Sequence, residues 1–231
     1  MAAPALDGSG GPHVYVEDLD LLRLDPDDRH HLERALRLRA GDPLTAGDGA
    51  GRWRACRFGP YLEAEGEVCE VPPPRHEVSV AFSLLKGGRP ELVVQKLTEL
   101  GVDRIVPLLA DRSVVRWDAA KQAANHERFR RVAREAGMQS RRAHLPEVEP
   151  VTAAAHVAAR TGAVLAHSGG RPLATDDHVL LVGPEGGWSP EEVAGRDLVD
   201  LGPTVLRAET AAIAAATLLT ALRDGRVAPT H

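Results

Sequence analysis

The chain has 231 residues, of which 43% are hydrophobic and 3% aromatic, and its formal net charge is −5. This length allows one large domain or two small ones with a sizeable core. Because aromatic residues are few, Leu, Val and Ala must fill most of that core. The acidic total argues against non-specific nucleic-acid binding through an overall basic surface, so any such binding depends on local arginine clusters.

The sequence shows no targeting signal, membrane span or metal site. Residues 1–12 are small and Gly-rich, without the basic start and apolar run of a signal peptide, so we expect a flexible tail there. No apolar stretch reaches the roughly 18 residues that a membrane span requires. The two cysteines, Cys56 and Cys69, do not make a disulfide framework, although a single disulfide between them stays open. A cytoplasmic protein without a bound metal or membrane association is expected.

A small β-rich domain is predicted over residues 13–71, and we interpret it as a barrel. Its predicted elements, in chain order, are a strand at 14–16, a helix at 25–38, a hairpin at 44–57 and a strand region at 62–71. Pro72-Pro73-Pro74-Arg75 follows, and a run of three prolines makes a stiff, extended spacer. We therefore place a linker at residues 72–75.

The second domain, residues 76–231, alternates between strand and helix patterns. The predicted strands lie at 78–84, 105–109, 163–166, 179–182 and 198–201, and the predicted helices at 90–100, 118–136 and 210–222. Gly101 and Gly137 are interpreted as helix stops. Such alternation is typical of an α/β fold with a mostly parallel sheet.

A Gly-rich loop follows the apolar strand at 179–182. It reads Gly183-Pro184-Glu185-Gly186-Gly187, and its glycines allow a sharp turn and a close approach to a ligand. Ser189 and Glu192 then have the spacing of a capping box at the start of a helix. Because these side chains occupy the helix N-terminus, the loop is expected to contact a ligand through backbone groups rather than to hold a phosphate.

A second Gly-bearing loop begins at Leu201-Gly202 and continues to a helix near residue 210. Two parallel strands that end in such loops form a crevice at the carboxyl edge of the sheet, where ligands bind in open α/β folds. Leu206 and Ile213 would supply an apolar wall of this crevice. Arg207 and Glu209 would supply polar groups at its rim.

These motifs together resemble one known family. Leu181-Val182-Gly183-Pro184-Glu185-Gly186-Gly187, Leu201-Gly202 and Leu206-Arg207-Ala208-Glu209-Thr210-Ala211 are similar to the RsmE-type 16S ribosomal RNA uridine N3-methyltransferases of the SPOUT superfamily. Matching segments elsewhere are Lys86-Gly87, Arg89, Glu91, Gln95–Val102, Arg112-Ser113-Val114, Gln139-Ser140-Arg141, His30-His31-Leu32, Leu36-Arg37-Leu38 and Gly41-Asp42. The resemblance extends from His13 to Leu222. Met138, Gly88 and Ala208 depart from it, standing where Glu, an acidic residue and Thr are usual.

The resemblance implies a SPOUT methyltransferase domain with a C-terminal trefoil knot, preceded by a PUA-like β-barrel that binds RNA. It further implies a homodimer that binds S-adenosylmethionine in the knot and acts on 16S ribosomal RNA, within the small ribosomal subunit. The implied cofactor-binding residues are Ala166, His167, Gly183, Pro184, Glu185, Gly186, Gly187, Leu201, Gly202, Leu206 and Arg207.

The implied reaction makes Arg207 and Glu209 the candidate catalytic residues. The protonated N3 of uridine is a poor nucleophile, so a group must remove its proton or stabilise the charge left on the base. Arg207 would stabilise that charge, and Glu209 would act as base or orient Arg207. Alternatively, the two residues form a structural ion pair at the helix start.

RNA binding would depend on arginines that contact phosphates locally. A solvated helix surface is the alternative interpretation of the arginines between 130 and 142. The candidates are Arg52, Arg54, Arg57, Arg112, Arg116, Arg130, Arg131, Arg134, Arg141 and Arg142.

Three other functions are compatible with parts of the sequence. A nicotinamide-dependent oxidoreductase would need a G-x-G-x-x-G turn, and the glycine spacing at 183–187 differs from it. A non-catalytic RNA-binding protein would not need two intact Gly-bearing loops. A SPOUT enzyme that acts on another RNA, such as transfer RNA, is the nearest alternative.

Overall fold

The structure is a computed structural model in which residue 6 and residues 8–228 are described. Residues 1–5 and 7, which belong to the predicted flexible tail, lie outside the described residues, as do residues 229–231. The chain divides into two compact units. One comprises Met1–Pro73 and Arg134–Leu145, and the other comprises Pro74–Ala133 and Pro146–His231.

The first unit contains a four-stranded sheet and one helix. The strands are β1 (His13–Tyr15), β2 (Pro43–Gly47), β3 (Arg52–Arg57) and β4 (Glu63–Glu70), and the helix is α1 (Pro26–Arg34). The strands lie in the order β1-β2-β3-β4, with β1 parallel to β2 and the other pairs antiparallel. A core that includes Leu32, Leu44 and Phe58 packs between the helix and the sheet. Both cysteines are free thiols.

Helix α1 is shorter than the predicted helix at 25–38. Its start agrees with the prediction, because the Asp25 side chain accepts a hydrogen bond from the amide of Asp27 at 2.8 Å. Its end does not, because Arg37 adopts a left-handed conformation with φ of +57°. The amides of Leu36 and Leu38 donate back to the carbonyls of His31 and Leu32, which satisfies the last turn and stops the helix.

The second unit is a parallel sheet with helices on both faces. Its strands are β5 (Ser79–Ser83), β6 (Arg104–Leu109), β7 (Glu147–Val148), β8 (Thr152–Ala153), β9 (Ala163–Arg171), β10 (Val179–Val182) and β11 (Leu198–Val199). Its helices are α2 (Arg89–Glu99), α3 (Ala119–Ser140), α4 (Ala154–Val157), α5 (Pro190–Val193) and α6 (Ala208–Arg223). The order is β11-β9-β10-β5-β6-β7, with β8 beside β6, and every one of these pairings is parallel. The predicted, mostly parallel α/β fold is confirmed.

Burial on both faces explains why the central strands are continuous apolar runs. Every residue of β5 and β10 is buried. Helices α2 and α6 cover one face with Val93, Leu97 and Ala216, while α4 and Trp188 cover the other. The alanines of α6 let it approach the sheet closely. In the part of the chain that the structure describes, no helix is long and apolar enough to cross a bilayer.

Two segments near the functional edge differ from the sequence prediction. Strand β9 extends to Arg171 rather than ending near residue 166, and it pairs with β11 across a register shift. The absent side chain of Gly170 permits this, since a Cβ there would lie 2.6 Å from the backbone of Val199. The two-residue strands β7 and β8 and the one-turn helix α4 were not predicted, because elements this short carry no periodicity.

Residues Arg134–Leu145 were assigned to the second domain by sequence, whereas in the structure they pack within the first unit. The Tyr15 hydroxyl donates to the Arg142 carbonyl at 2.6 Å, and the amide of Leu145 donates to the Gly49 carbonyl at 2.8 Å. Gly137 does not stop α3. A Cβ at Gly137 would lie 2.6 Å from Leu145 and 2.7 Å from the Tyr15 hydroxyl, so this glycine serves a close packing contact instead.

Candidate functional site

Three segments at the carboxyl edge of the parallel sheet enclose a cavity of about 630 Å³. Two of them are the loops after β10 and β11, and the third is residues 166–168 of β9, the strand between β10 and β11 in the sheet. The volume lies in the range of small-molecule and cofactor sites. Apart from Gly186, every predicted cofactor residue lines it: Ala166, His167, Gly183, Pro184, Glu185, Gly187, Leu201, Gly202, Leu206 and Arg207. The structure thus brings together residues that are up to 41 positions apart, between Ala166 and Arg207.

Gly186 and Arg112 differ from the sequence prediction in whether they line the cavity. Gly186 lies outside the lining, and its carbonyl accepts a hydrogen bond from the Arg112 guanidinium at 3.3 Å. Arg112, predicted as an RNA contact, lines the cavity. The reason is that the segment after β6 lies beside the Gly-rich loop. The two segments are far apart in sequence, so no local pattern predicts that they are in contact.

The start of α5 fixes that segment in place. Ser189 and Glu192 form the predicted capping box, which is confirmed. The Ser189 hydroxyl also donates to the Asp111 carboxylate at 2.7 Å, and the amide of Asp111 donates to the Glu192 carboxylate at 3.0 Å. Asp111 therefore ties the segment that carries Arg112 to the helix cap. Because the capping box already occupies backbone amides at the start of α5, few amides remain there to bind a phosphate.

Trp188 was not predicted as a site residue, yet it forms one wall of the cavity. Its indole Nε1 donates to the carbonyl of Ala166 at 3.0 Å, so it links the Gly-rich loop to β9. Gly183 makes room for this ring, because a Cβ there would lie 2.9 Å from it. The sequence signal that could have identified Trp188 is its position directly after the Gly-rich loop, in a chain that has three tryptophans.

Asp200 is a second cavity residue that sequence reasoning missed. Its carboxylate accepts hydrogen bonds from the amides of Gly169 and Gly202, both at 2.9 Å. These bonds hold the pKa of Asp200 below its ordinary value, since they stabilise the ionised form. The side chain joins the carboxyl end of β9 to the loop after β11, and Asp200 lines the cavity.

Arg207 and Glu209 do not pair with each other. Arg207 is the exposed N-cap residue of α6, and among the described residues its guanidinium has no hydrogen-bond or ion-pair partner. The Glu209 carboxylate lies 3.7 Å from Nη1 of Arg89 and outside the cavity lining. The alternative of a structural Arg207–Glu209 ion pair is therefore wrong.

The predicted RNA-contacting arginines of the first unit fall into two groups. Arg52 is exposed. The remainder make intramolecular contacts: Arg54 with the Leu19 and Gly66 carbonyls, Arg57 with Glu65, Arg134 with Asp28, Arg141 with the Gly11 carbonyl, and Arg142 through its own carbonyl with Tyr15. Arg54 and Arg134 are also partly buried, with 16% and 32% of their side chains exposed.

The predicted RNA-contacting arginines of the second unit lie at two places. Arg130 and Arg131 are exposed on α3, where Arg130 pairs with Glu127 at 3.3 Å. Arg116 donates to the Asp111 carbonyl at 3.2 Å and is exposed near the segment that carries Arg112. The solvated-surface interpretation and the phosphate-contact interpretation both remain compatible with these positions.

Comparison with known proteins gives the family. Residues 72–220 match the family described as RNA methyltransferase domain. The chain is 35% identical over 221 residues to the ribosomal RNA small subunit methyltransferase E of Mycobacterium bovis, covering 83% of each protein. A crystal structure of a ribosomal RNA small subunit methyltransferase E from Neisseria gonorrhoeae, bound to S-adenosylmethionine, is similar with a TM-score of 0.74 and 29% identity over 91% of this chain and 97% of that one.

A methyltransferase of Legionella pneumophila, solved with its bound cofactor S-adenosylmethionine, matches with a TM-score of 0.80 and 28% identity, over 90% of this chain and 96% of that one. The family match covers the whole cavity described above, and the identity to the Mycobacterium bovis protein extends well beyond it. The chain therefore belongs to the ribosomal RNA small subunit methyltransferase E family of RNA methyltransferases.

Proposed function

We propose that the protein transfers the methyl group of S-adenosylmethionine to N3 of a specific uridine in 16S ribosomal RNA. The observation that carries this proposal is the cavity at the carboxyl edge of the sheet, which combines two Gly-bearing loops with Arg207, a residue whose guanidinium has no partner among the described residues. Family membership supports the reaction class. The two solved relatives bound to S-adenosylmethionine support the choice of cofactor.

The cavity fits an adenosyl cofactor in its chemistry. Leu201 and Leu206 offer an apolar wall for a flat base, and the loops at 183–187 and 201–202 offer backbone amides and carbonyls. The carboxylate of Asp200, which is held ionised, would accept hydrogen bonds from hydroxyl or ammonium groups. The bound cofactor would supply an electrophilic methyl group on a sulfonium. The same features give no support to a nicotinamide cofactor, whose diphosphate needs a free helix N-terminus.

Arg207 would stabilise the negative charge that develops on the uracil carbonyls when N3 loses its proton. A guanidinium with no partner inside the described protein is available for such a contact, and in a partly enclosed cavity the interaction is stronger than in water. The other requirement is positioning of N3 in line with the methyl group. The walls of the cavity supply it, since each is tied to the next by Trp188, Asp200 or Asp111.

RNA would be held by arginines that are exposed in the structure. Arg52, Arg116, Arg130 and Arg131 meet this condition, and Arg112 would contact RNA at the cavity itself. A local set of this kind binds phosphates despite the net charge of −5. Arg54 and Arg134 are better explained as structural residues, because their guanidinium groups are occupied by backbone carbonyls or by Asp28.

We further propose the finer architecture that the sequence resemblance implies. The domains would be a PUA-like barrel over residues 13–71, to whose unit residues 134–145 also belong, a linker at 72–75 and a SPOUT domain formed by the rest of 76–231, whose C-terminal segment forms a trefoil knot. The four-stranded sheet of the first unit and the convergence of three segments on one cavity support these assignments. A homodimer is also proposed, with the small side chains of α6 permitting close packing of a second copy.

The decisive experiment is methyl transfer from labelled S-adenosylmethionine to small ribosomal subunits that lack their own modification, followed by mass mapping of the RNA. A single N3-methyluridine in 16S RNA is the expected product. Cofactor binding with transfer only to transfer RNA would replace the substrate assignment. Cofactor or RNA binding without transfer to any RNA would favour the non-catalytic alternative.

A further inference from the structure

Arg89 connects two walls of the cavity from outside it. It lies in the first turn of α2, where its Nε donates to the carbonyl of Lys86 at 3.2 Å. Its Nη1 lies 3.3 Å from the carboxylate of Glu185, in the Gly-rich loop, and 3.7 Å from that of Glu209, in the first turn of α6. One guanidinium thus bridges three segments that are far apart in sequence.

The two carboxylates differ in how much they depend on this bridge. Glu185 lines the cavity and its side chain is 49% exposed, so water can replace Arg89 there. Glu209 is 14% exposed, and its Oε2 is buried without a hydrogen-bond partner among the described residues. A buried carboxylate depends strongly on a nearby cation. Arg89 is the cation that the structure places beside it.

Glu209 also lies two residues from Arg207, which lines the cavity and whose guanidinium has no hydrogen-bond or ion-pair partner in the described part of the chain. If Arg89 were absent, the largely buried Glu209 carboxylate would lose the cation beside it, and a shift of the first turn of α6 could then bring it towards Arg207, the N-cap residue of the same helix. It would then compete with the substrate base for Arg207.

We propose that Arg89 is a positioning residue for methyl transfer, which holds the Gly-rich loop and the start of α6 together and keeps Glu209 away from Arg207. This inference rests on the proposed function of the cavity. It assigns Glu209 the role of an anchor for Arg89 rather than that of a general base. Arg89 itself need not touch the cofactor or the RNA.

The test compares Arg89→Ala, Arg89→Lys, Glu209→Gln and the Arg89→Ala/Glu209→Gln double variant in the full-length protein. We expect Arg89→Ala to lower kcat at saturating cofactor by about tenfold or more, because small displacements of reacting groups have effects of this order. Arg89→Lys should recover part of that loss, since a single ammonium keeps the charge but not the reach of the guanidinium fork.

The double variant makes the test specific. Because the glutamine introduced in place of Glu209 carries no charge to compete for Arg207, we expect Arg89→Ala/Glu209→Gln to be more active than Arg89→Ala alone. Loss of a purely structural ion pair would lower the free energy of unfolding and leave kcat at saturating cofactor unchanged in Arg89→Ala; this result, or a double variant that is no more active than Arg89→Ala, would overturn the proposal. If Glu209 were the general base, Glu209→Gln alone would abolish turnover, which would also overturn it.

Arg160→Ala is a matched control, because Arg160 forms an ion pair with Glu149 at 2.7 Å in the same unit and lies outside the cavity lining. Its kcat should stay within about twofold of the wild type. Hydrogen exchange without cofactor gives a readout that does not need activity: amides in 183–187 and 208–211 should exchange faster in Arg89→Ala and not in Arg160→Ala. If the wild type methylates no RNA, the proposed reaction fails, while unchanged exchange in Arg89→Ala would contradict the positioning role separately.

Discussion

The indole of Trp188 donates its hydrogen bond to the carbonyl of Ala166 at 3.0 Å, and so joins the Gly-rich loop to the neighbouring strand β9. The ring is 7% exposed and packs over Gly183. One aromatic side chain therefore determines how two of the three segments that enclose the cavity are spaced. The absence of a side chain at Gly183 is a condition for this arrangement.

Substituting Gly183→Ala should displace Trp188 and weaken cofactor binding. The new Cβ would lie 2.9 Å from Cε2 of the indole. Its closest contacts are all with this ring, so the ring must move to accommodate the methyl group. We expect a loss of about 1–3 kcal/mol in the free energy of unfolding, typical of an overpacked site, together with a raised Kd for S-adenosylmethionine. Denaturant unfolding and titration calorimetry measure the two effects.

Trp188→Phe is the comparison variant for this site. It removes the hydrogen bond to Ala166 but adds no atom near Gly183, so its effect on the Kd should be smaller than that of Gly183→Ala. A Gly183→Ala protein that binds the cofactor as tightly as the wild type would contradict the spacing role of the ring.

Local signals in the sequence predict the main elements of the second unit and the place of its cavity. Apolar runs identify β5, β6, β9, β10 and β11, and the capping box at Ser189 marks the start of α5. The two Gly-bearing loops could be placed at one edge, since parallel strands all end there. Most of the cavity lining follows from those two facts.

Contacts between segments distant in sequence could not be predicted. Asp111 binds Ser189 across 78 positions, and Arg89 reaches Glu185 across 96. Neither pair has a pattern that distinguishes it from exposed surface charges. The return of residues 134–145 to the first unit was missed for the same reason, since a continuous helix suggests a continuous domain.

Asp200→Asn should weaken cofactor binding without unfolding the protein. An amide has one acceptor oxygen, so it can accept from Gly169 or Gly202 but not equally well from both, and the carboxyl end of β9 and the loop after β11 would separate. We expect the Kd for S-adenosylmethionine to rise by about five- to tenfold, the equivalent of one lost hydrogen bond. Titration calorimetry gives the value directly.

The pH dependence of that effect follows from the low pKa of Asp200. Since backbone hydrogen bonds depress it, the carboxylate stays ionised well into the acid range, and the ratio of the two Kd values should be the same near pH 6 and near pH 8. Asp176→Asn, an exposed carboxylate outside the lining, is the control and should leave the Kd unchanged.

Arg134 and Arg131 lie three positions apart on α3 but should behave differently on substitution. Arg134 makes a two-bonded ion pair with Asp28, at 2.5 and 3.0 Å, and donates to the Tyr15 carbonyl at 3.0 Å. Asp28 is 11% exposed, so Arg134→Ala leaves a largely buried carboxylate. We expect a loss of about 2 kcal/mol in the free energy of unfolding.

Arg131→Ala, at an exposed position, should change stability by no more than about 0.5 kcal/mol. It should instead reduce the affinity for RNA, and lower the slope of log K against log salt by about 0.7–0.9 if one phosphate contact is lost. Filter binding at several salt concentrations and denaturant unfolding separate the two roles. An Arg134→Ala protein of unchanged stability would restore Arg134 as an RNA-contact candidate.

The stability of the first unit should fall with acid because of His13. This side chain is 3% exposed, and its Nδ1 hydrogen-bonds with the Thr45 hydroxyl at 2.8 Å. Burial, with a smaller contribution from the charge of Arg141, lowers the pKa of His13 from 6.5 to about 4. The unfolded chain therefore binds a proton below about pH 6.5 that the folded chain does not, and folding loses free energy as the pH falls from there towards 4.

Between about pH 7.5 and pH 5, this linkage amounts to roughly 2 kcal/mol. His13→Gln keeps a hydrogen-bonding group for Thr45 but cannot titrate, so its stability should change less over this interval by about that amount. Denaturant unfolding of both proteins at the two pH values gives the difference, in which contributions from the other titrating groups cancel. Parallel losses in the two proteins would show that His13 is accessible to protons in the folded state.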